Sequence, residues 1–137
     1  KEGNTAVTDE KSLAGKTVGT QSAGTAEEYM DASDFYKKEV KEVKKYPDYV
    51  AAFMDLENGR LDAVIGDEIV GRYYMSKHPD TLDALDVVVG PVSEFGIAFA
   101  KDNTKLRDEV QKVLDEMKAD GTIAKISTKW FTKDITK

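Results

Sequence analysis

Two short segments carry residue types that could bind a small charged molecule. The first is the stretch 21–25, in which Ser22 and Thr25 supply hydroxyl groups and Gly24 permits close approach of the main chain. A helix is expected to begin here, and a helix N-terminus favours an anion because its first N–H groups have no partners within the helix. A carboxylate or a phosphate would therefore suit this loop.

The second segment is Asp67, which follows an apolar run and opens another expected helix. A carboxylate only accepts hydrogen bonds, so it can bind an ammonium group. Both segments also have a plainer interpretation, since Thr25 and Glu28 have the spacing of a capping box and Asp is a favoured N-cap residue. If both segments bind a ligand, an anion site beside an anionic side chain suits a zwitterion.

The elements that must position these residues follow from hydrophobic periodicity. The pattern predicts strands over 16–21, 39–45, 61–66, 82–89 and 95–100, with a helix as the alternative for 39–45. It predicts helices over 26–36, 47–57, 67–78, 106–117 and 123–131. Because strands and helices alternate through residue 79, we expect an α/β fold with a parallel sheet. Ligands of such sheets bind beyond the carboxyl ends of the strands, which places Gln21–Thr25 and Asp67 at one edge.

Composition excludes several classes of protein. The chain of 137 residues has no cysteine, which excludes disulfides, thiol nucleophiles and thiolate metal sites. Its net charge of −6 argues against sequence-independent binding of nucleic acid. No apolar run approaches the roughly 20 residues that a membrane helix needs. Residues 101–137 hold nine Lys/Arg and seven Asp/Glu, so the charge changes where two successive helices replace the alternating pattern. This change indicates two structural parts.

The sequence lacks the motifs of common enzyme classes. It has no Walker loop, no G-x-S-x-G and no H-E-x-x-H. His78, the only histidine, precedes Pro79 at a helix end and is expected at the surface. A receiver domain would need acidic residues after the first strand to hold Mg²⁺, whereas Gln21 and Ser22 stand there. We therefore predict no catalytic residue, metal or cofactor.

Three segments in order resemble one family, the polar amino acid-binding proteins of ABC importers, or family 3 solute-binding proteins. Residues 13–29 (LAGKTVGTQSAGTAEEY) resemble the family's "LxGKxVGVQxGT", with the Gly-Thr pair one residue later here. Residues 58–67, with Tyr73 and Tyr74, resemble its "GRxDAVxxD…YY". Residues 95–101 and 118–131 resemble its "GIAxxK…LxxDGTxxxIxxKWF". The resemblance spans about residues 12–131.

The resemblance implies a type II periplasmic-binding-protein-like lobe of a two-lobed receptor outside the cytoplasm, in the periplasm or lipid-anchored at the cell surface. Such a receptor closes on an amino acid and delivers it to a membrane permease. Residues 1–93 would form the second, ligand-binding lobe, and 94–137 a return strand and helices that complete the first lobe. By the resemblance, Gly24 and Thr25, or Ser22, would bind the α-carboxylate, Asp67 the α-ammonium, and Gln21 would lie near the ligand's side chain.

The family's first lobe, with an arginine that pairs with the ligand carboxylate, would precede Lys1. We therefore expect this chain to be a piece of a longer protein and to bind an amino acid weakly by itself. The apolar face of the helices between 106 and 131 would then need a cover, and a homodimer is one expectation. Two other functions stay open: an extracellular sensing domain of the same fold, and a dehydratase, for which the cleft offers only Asp67.

Overall fold

A three-stranded sheet organises the N-terminal part of the chain. The computed structural model describes residues 3–92 and 94–136, which fall into two units, Lys1–Val92 and Ser93–Lys137. The first unit contains a 3₁₀ helix (Lys11–Leu13), strands β1 (Thr17–Gln21), β2 (Glu42–Tyr46) and β3 (Ala63–Val64), and helices α1 (Thr25–Ala32), α2 (Asp34–Lys38), α3 (Tyr49–Glu57) and α4 (Glu68–Lys77).

The sheet is parallel throughout, with the order β2-β1-β3. Thr20 pairs with Lys45 of β2, and Gly19 pairs with Val64 of β3. Helices cover the connections between the strands, which is the arrangement that parallel pairing requires. The predicted α/β fold is thus confirmed, and the carboxyl ends of all three strands lie at one edge.

Two buried clusters pack the first unit. Val18 of β1 and Met30 of α1 belong to one of them, and Phe53 of α3 and Tyr74 of α4 belong to the other. Val18 and Met30 are at most 1% exposed, so β1 is anchored from within the unit. This burial fixes the position of β1, and the first candidate loop follows directly after that strand.

The second unit contains two helices, α5 (Thr104–Ala119) and α6 (Thr122–Phe131), which pack against each other. The chain reverses at Gly121, whose φ of 78° lies in the left-handed region that glycine adopts without strain. Among its described residues only Ser127 is buried. The apolar side chains of the two helices are half-exposed, including Leu106, Val113, Ile126 and Trp130.

Several predicted boundaries are corrected. The helix expected over 26–36 is interrupted at Ser33, whose N–H donates to the carbonyls of Tyr29 and Met30 and ends α1. Segment 39–45 contains a strand, so its helical alternative is wrong. The predicted helix start at Pro47 is replaced by Asp48, whose side chain accepts a hydrogen bond from the Ala51 N–H at 2.8 Å.

The strands predicted over 82–89 and 95–100 are absent. These residues have no regular structure, and several of their apolar side chains are exposed, including Val88, Phe95 and Ile97. An extended apolar segment becomes a strand only where a neighbouring strand pairs with its main-chain groups. Within the described ranges, the sheet ends at β2 and β3 and offers these segments no pairing. The return strand expected after residue 94 is therefore not formed.

Candidate functional site

The first candidate segment is the loop from β1 to α1. The Ser22 N–H donates to the Tyr46 carbonyl at 2.8 Å, which extends the strand pairing by one residue. Ala23 then takes a left-handed conformation with φ of 57°, and its N–H donates to the Glu27 carboxylate. Gly24 is the N-cap residue of α1, and Thr25 is its first helical residue. The predicted capping box of Thr25 and Glu28 is wrong, because Glu27 takes the reciprocal role from within the helix.

These contacts decide which loop groups can bind an anion. The amides of Ser22 and Ala23 already have acceptors within the chain. Among the described residues, the amides of Gly24 and Thr25 have none. The hydroxyl groups of Ser22 and Thr25 belong to exposed residues beside them. The expectation of a whole loop of open N–H groups is thus narrowed to the two at the helix start.

Lys45, Glu27 and Asp31 form a cluster of ion pairs next to the loop. The Lys45 Nζ at the end of β2 lies 2.7 Å from Glu27 Oε1 and 2.8 Å from Asp31 Oδ2. The hydrogen bonds from Lys45 and from the Ala23 amide lower the pKa of the Glu27 carboxyl. The hydrogen bonds to Asp31 and Glu27 raise the pKa of Lys45. Glu27 therefore stays ionised near neutral pH and keeps its bond to the loop.

Asp67 lies at the same edge, after β3. It is the N-cap residue of α4, yet its side chain makes no capping hydrogen bond. The plain interpretation of Asp67 is therefore only half correct: the residue has the position of a cap but leaves its carboxylate uncommitted. The side chain is partly exposed, and in the described ranges no donor or cation is paired with it. An ammonium group would satisfy it.

The buried side chain of Tyr49 lies close to both candidate segments. A Cβ added to Gly66 would clash with Cε1 of Tyr49, and one added to Gly24 would lie 4.0 Å from the Tyr49 hydroxyl. Burial is the largest cause that raises the pKa of Tyr49, and the Asp67 carboxylate adds to the rise. The Asp67 amide and the Thr20 hydroxyl act in the opposite direction. Tyr49 thus lies against Gly66, the residue before Asp67, and close to Gly24.

Sequence reasoning missed Tyr49, Glu27 and Lys45. Tyr49 lies one turn before Phe53, which is the ordinary pattern of a buried helix face. Glu27 could have been found as an acid in the first turn of α1, where carboxylates reach back to loop amides. Lys45 is separated from Glu27 along the chain, and the pair is visible only once β2 is paired beside β1 and the ion-pair distance is measured.

In the part of the chain that is described, no group of three or more His, Asp or Glu side chains could hold a metal ion. His78 is exposed and stacks on Tyr74 with ring centroids 4.1 Å apart, which confirms its predicted place at the surface. No described helix has both the length and the apolar character to cross a membrane.

Comparison with known proteins adds the family. A model of the bacterial extracellular solute-binding proteins, family 3, matches residues 19–133. The chain belongs to this family. The match includes the loop after β1, Asp67 and both helices of the second unit. The resemblance stated from sequence is thereby confirmed.

Sequence identity and TM-score measure how similar the chain is to individual proteins. The chain is 37% identical over 122 residues to "ABC transporter arginine-binding protein 1" of Escherichia coli, which covers 87% of this chain and 49% of that protein. It matches substrate-binding domain 2 of Lactococcus lactis GlnP in its open conformation with a TM-score of 0.79 and 26% identity, over 96% of this chain and 55% of the other.

A third match concerns a separate domain. The crystal structure of "domain 2 from TmArgBP" is 28% identical with a TM-score of 0.52, over 65% of this chain and 89% of that one. The chain spans about half the length of the curated relatives it matches. Its fold is that of a type II periplasmic-binding-protein-like lobe, with a parallel sheet flanked by helices.

Proposed function

We propose that this chain is the amino acid-binding second lobe of a receptor that serves an ABC importer. One observation carries the proposal: the uncommitted Asp67 carboxylate and the open amides of Gly24 and Thr25 occupy the same sheet edge. One group calls for a cation and the others call for an anion. The α-ammonium and α-carboxylate of an amino acid supply both charges in one molecule.

Each residue has a distinct role in this proposal. The Gly24 and Thr25 amides, with the hydroxyls of Thr25 and Ser22, bind the α-carboxylate. Asp67 accepts hydrogen bonds from the α-ammonium. Gln21, partly exposed at the end of β1, contacts the ligand's side chain. The lobe binds its ligand without chemical change.

The proposal extends to the longer protein. A first lobe would close over the ligand, contribute an arginine to its carboxylate and exclude water from the site. The complete receptor would work outside the cytoplasm and deliver the amino acid to the permease. A single lobe offers fewer contacts, so we expect this chain to bind an amino acid with a dissociation constant of about 1 mM or weaker.

Asp67→Asn tests the central contact. The amide keeps the shape of the side chain but loses the charge that pairs with the ammonium, so we expect the affinity for L-arginine to fall about ten-fold or more. Affinity is measured by titration of amide chemical shifts, which suits weak binding. Asp83→Asn is the matched control, because Asp83 is an exposed acid of the same unit and its loss changes the net charge equally. Equal weakening in both variants would contradict the proposal.

We also propose that the half-exposed apolar face of α5 and α6 pairs with a second copy when this chain is alone. Leu106, Val113, Ile126 and Trp130 give that face its apolar character. Burial of such a face is favourable in proportion to its area. Light scattering across a concentration series should then give a mass above that of one chain, and a monomer at every concentration would refute the pairing.

A further inference from the structure

Tyr49 is packed within the core of the first unit. It is the first residue of α3, directly after the cap at Asp48, and it is 7% exposed. Its ring stacks on Phe53 with centroids 6.0 Å apart and an interplanar angle of 18°. Both rings belong to the cluster that also includes Tyr74. The phenol therefore has little freedom to move independently of the core.

The hydroxyl end of the Tyr49 ring packs against the main chain that leads into Asp67. A Cβ added to Gly66 would clash with Cε1 of the Tyr49 ring and would lie 2.5 Å from Cζ and 2.7 Å from the hydroxyl oxygen. Real Cβ atoms do not approach other atoms so closely, so only glycine lets the main chain lie against this ring. The residue that follows, Asp67, thus starts from a position that the phenol defines.

The hydroxyl end of the same side chain reaches the other segment. It lies 4.0 Å from the place where a Cβ on Gly24 would stand, so the hydroxyl is close to the start of α1. Gly24 is the cap of α1 and one of the two loop residues with open amides. No other side chain approaches both glycines among the contacts found for them.

We infer that Tyr49 is a positioning residue that fixes Gly24 and Asp67 relative to each other, and thereby sets the spacing between the carboxylate and ammonium sites. The inference rests on the proposed function for its ligand, but the positioning itself can be measured without one. A ligand whose charged groups are separated as in an α-amino acid then fits because the two loops share one rigid support.

Two hydrogen bonds report the state of the two segments. The Glu28 N–H donates to the Gly24 carbonyl at 3.2 Å, and the Gly71 N–H donates to the Asp67 carbonyl at 3.1 Å. Each bond closes the first turn of its helix. If the support beneath a segment loosens, the corresponding amide should exchange its hydrogen with solvent faster.

The experiment compares Tyr49→Phe with Tyr74→Phe in the 137-residue chain. Both variants remove one phenolic hydroxyl from the same cluster, and the two tyrosines are equally buried at 7% and 8% exposed. Tyr74 lies toward the end of α4, away from Asp67. We expect Tyr49→Phe to speed exchange at both Glu28 and Gly71 by about three- to ten-fold, and Tyr74→Phe to leave their ratio to other core amides unchanged.

A change at only one of the two amides, or equal changes in both variants, would overturn the inference. A second arm titrates each protein with L-arginine, and we expect Tyr49→Phe to weaken binding about three- to ten-fold while Tyr74→Phe does not. If the native chain fails to bind L-arginine but the exchange result holds, the proposed function fails and the positioning by Tyr49 stands. The two failures are thereby distinguished.

Discussion

Both units contain apolar residues at periodic spacing, but these residues are buried in the first unit and half-exposed in the second. In the first unit, apolar periodicity produces buried side chains such as Val18, Met30 and Phe53. In the second, α5 and α6 are more strongly amphipathic than α1, α3 and α4, yet their apolar residues remain half-exposed and only Ser127 is buried among those described. The pattern specifies a helix and its apolar face, but burial depends on what covers that face. The candidate site lies in the unit that supplies its own cover.

Paired truncations in the two units should give the largest contrast. Met30 is 1% exposed, so Met30→Ala should lower the free energy of unfolding of the first unit by about 2–5 kcal/mol. Leu106 is 45% exposed, so Leu106→Ala should cost the chain about 0.5 kcal/mol or less. Urea unfolding measures both, with Trp130 fluorescence as the reporter of the second unit. Similar losses in the two variants would mean that α5 is as well covered as α1 in solution.

Paired glycine substitutions give a smaller contrast closer to the site. Gly66→Ala places a Cβ against the Tyr49 ring, so the loop must shift, at a cost of about 1–3 kcal/mol. Gly96→Ala meets no atom within 4 Å, and it should be neutral or stabilise by up to about 1 kcal/mol through the unfolded chain. Thermal unfolding compares the two. A harmless Gly66→Ala would show that the ring and the loop can separate, which would weaken the role given to Tyr49.

The sequence predicted the parallel α/β arrangement because strands and helices that alternate along the chain favour it. It also placed Gln21–Thr25 and Asp67 at one edge, since parallel strands share their carboxyl ends. It could not show that Glu27 occupies the Ala23 amide, because that bond depends on the left-handed turn at Ala23. Nor could it show Tyr49 beneath Gly66, which is a contact between distant parts of the chain. Local pattern gives the elements, whereas the details of the site arise from packing.

The segments 82–89 and 95–100 also show that local pattern does not determine packing, because here the sequence predicts strands that do not form. Their composition favours strands, yet Val88, Phe95 and Ile97 are exposed and unpaired within the described sheet. A strand needs a neighbour, and no local pattern supplies one. In these two segments the sequence therefore predicts strands that the described chain does not form.

A map of amide chemical shifts with three ligands tests the central claim most directly. L-arginine carries both charged groups, agmatine lacks the α-carboxylate, and Nα-acetyl-L-arginine lacks the α-ammonium. We expect L-arginine to shift the amides of Gly24, Thr25 and Asp67 in the first unit, with each analogue losing the effect at the segment that its missing group would contact. Shifts confined to α5 and α6, or identical maps for all three ligands, would contradict an amino acid site at this sheet edge.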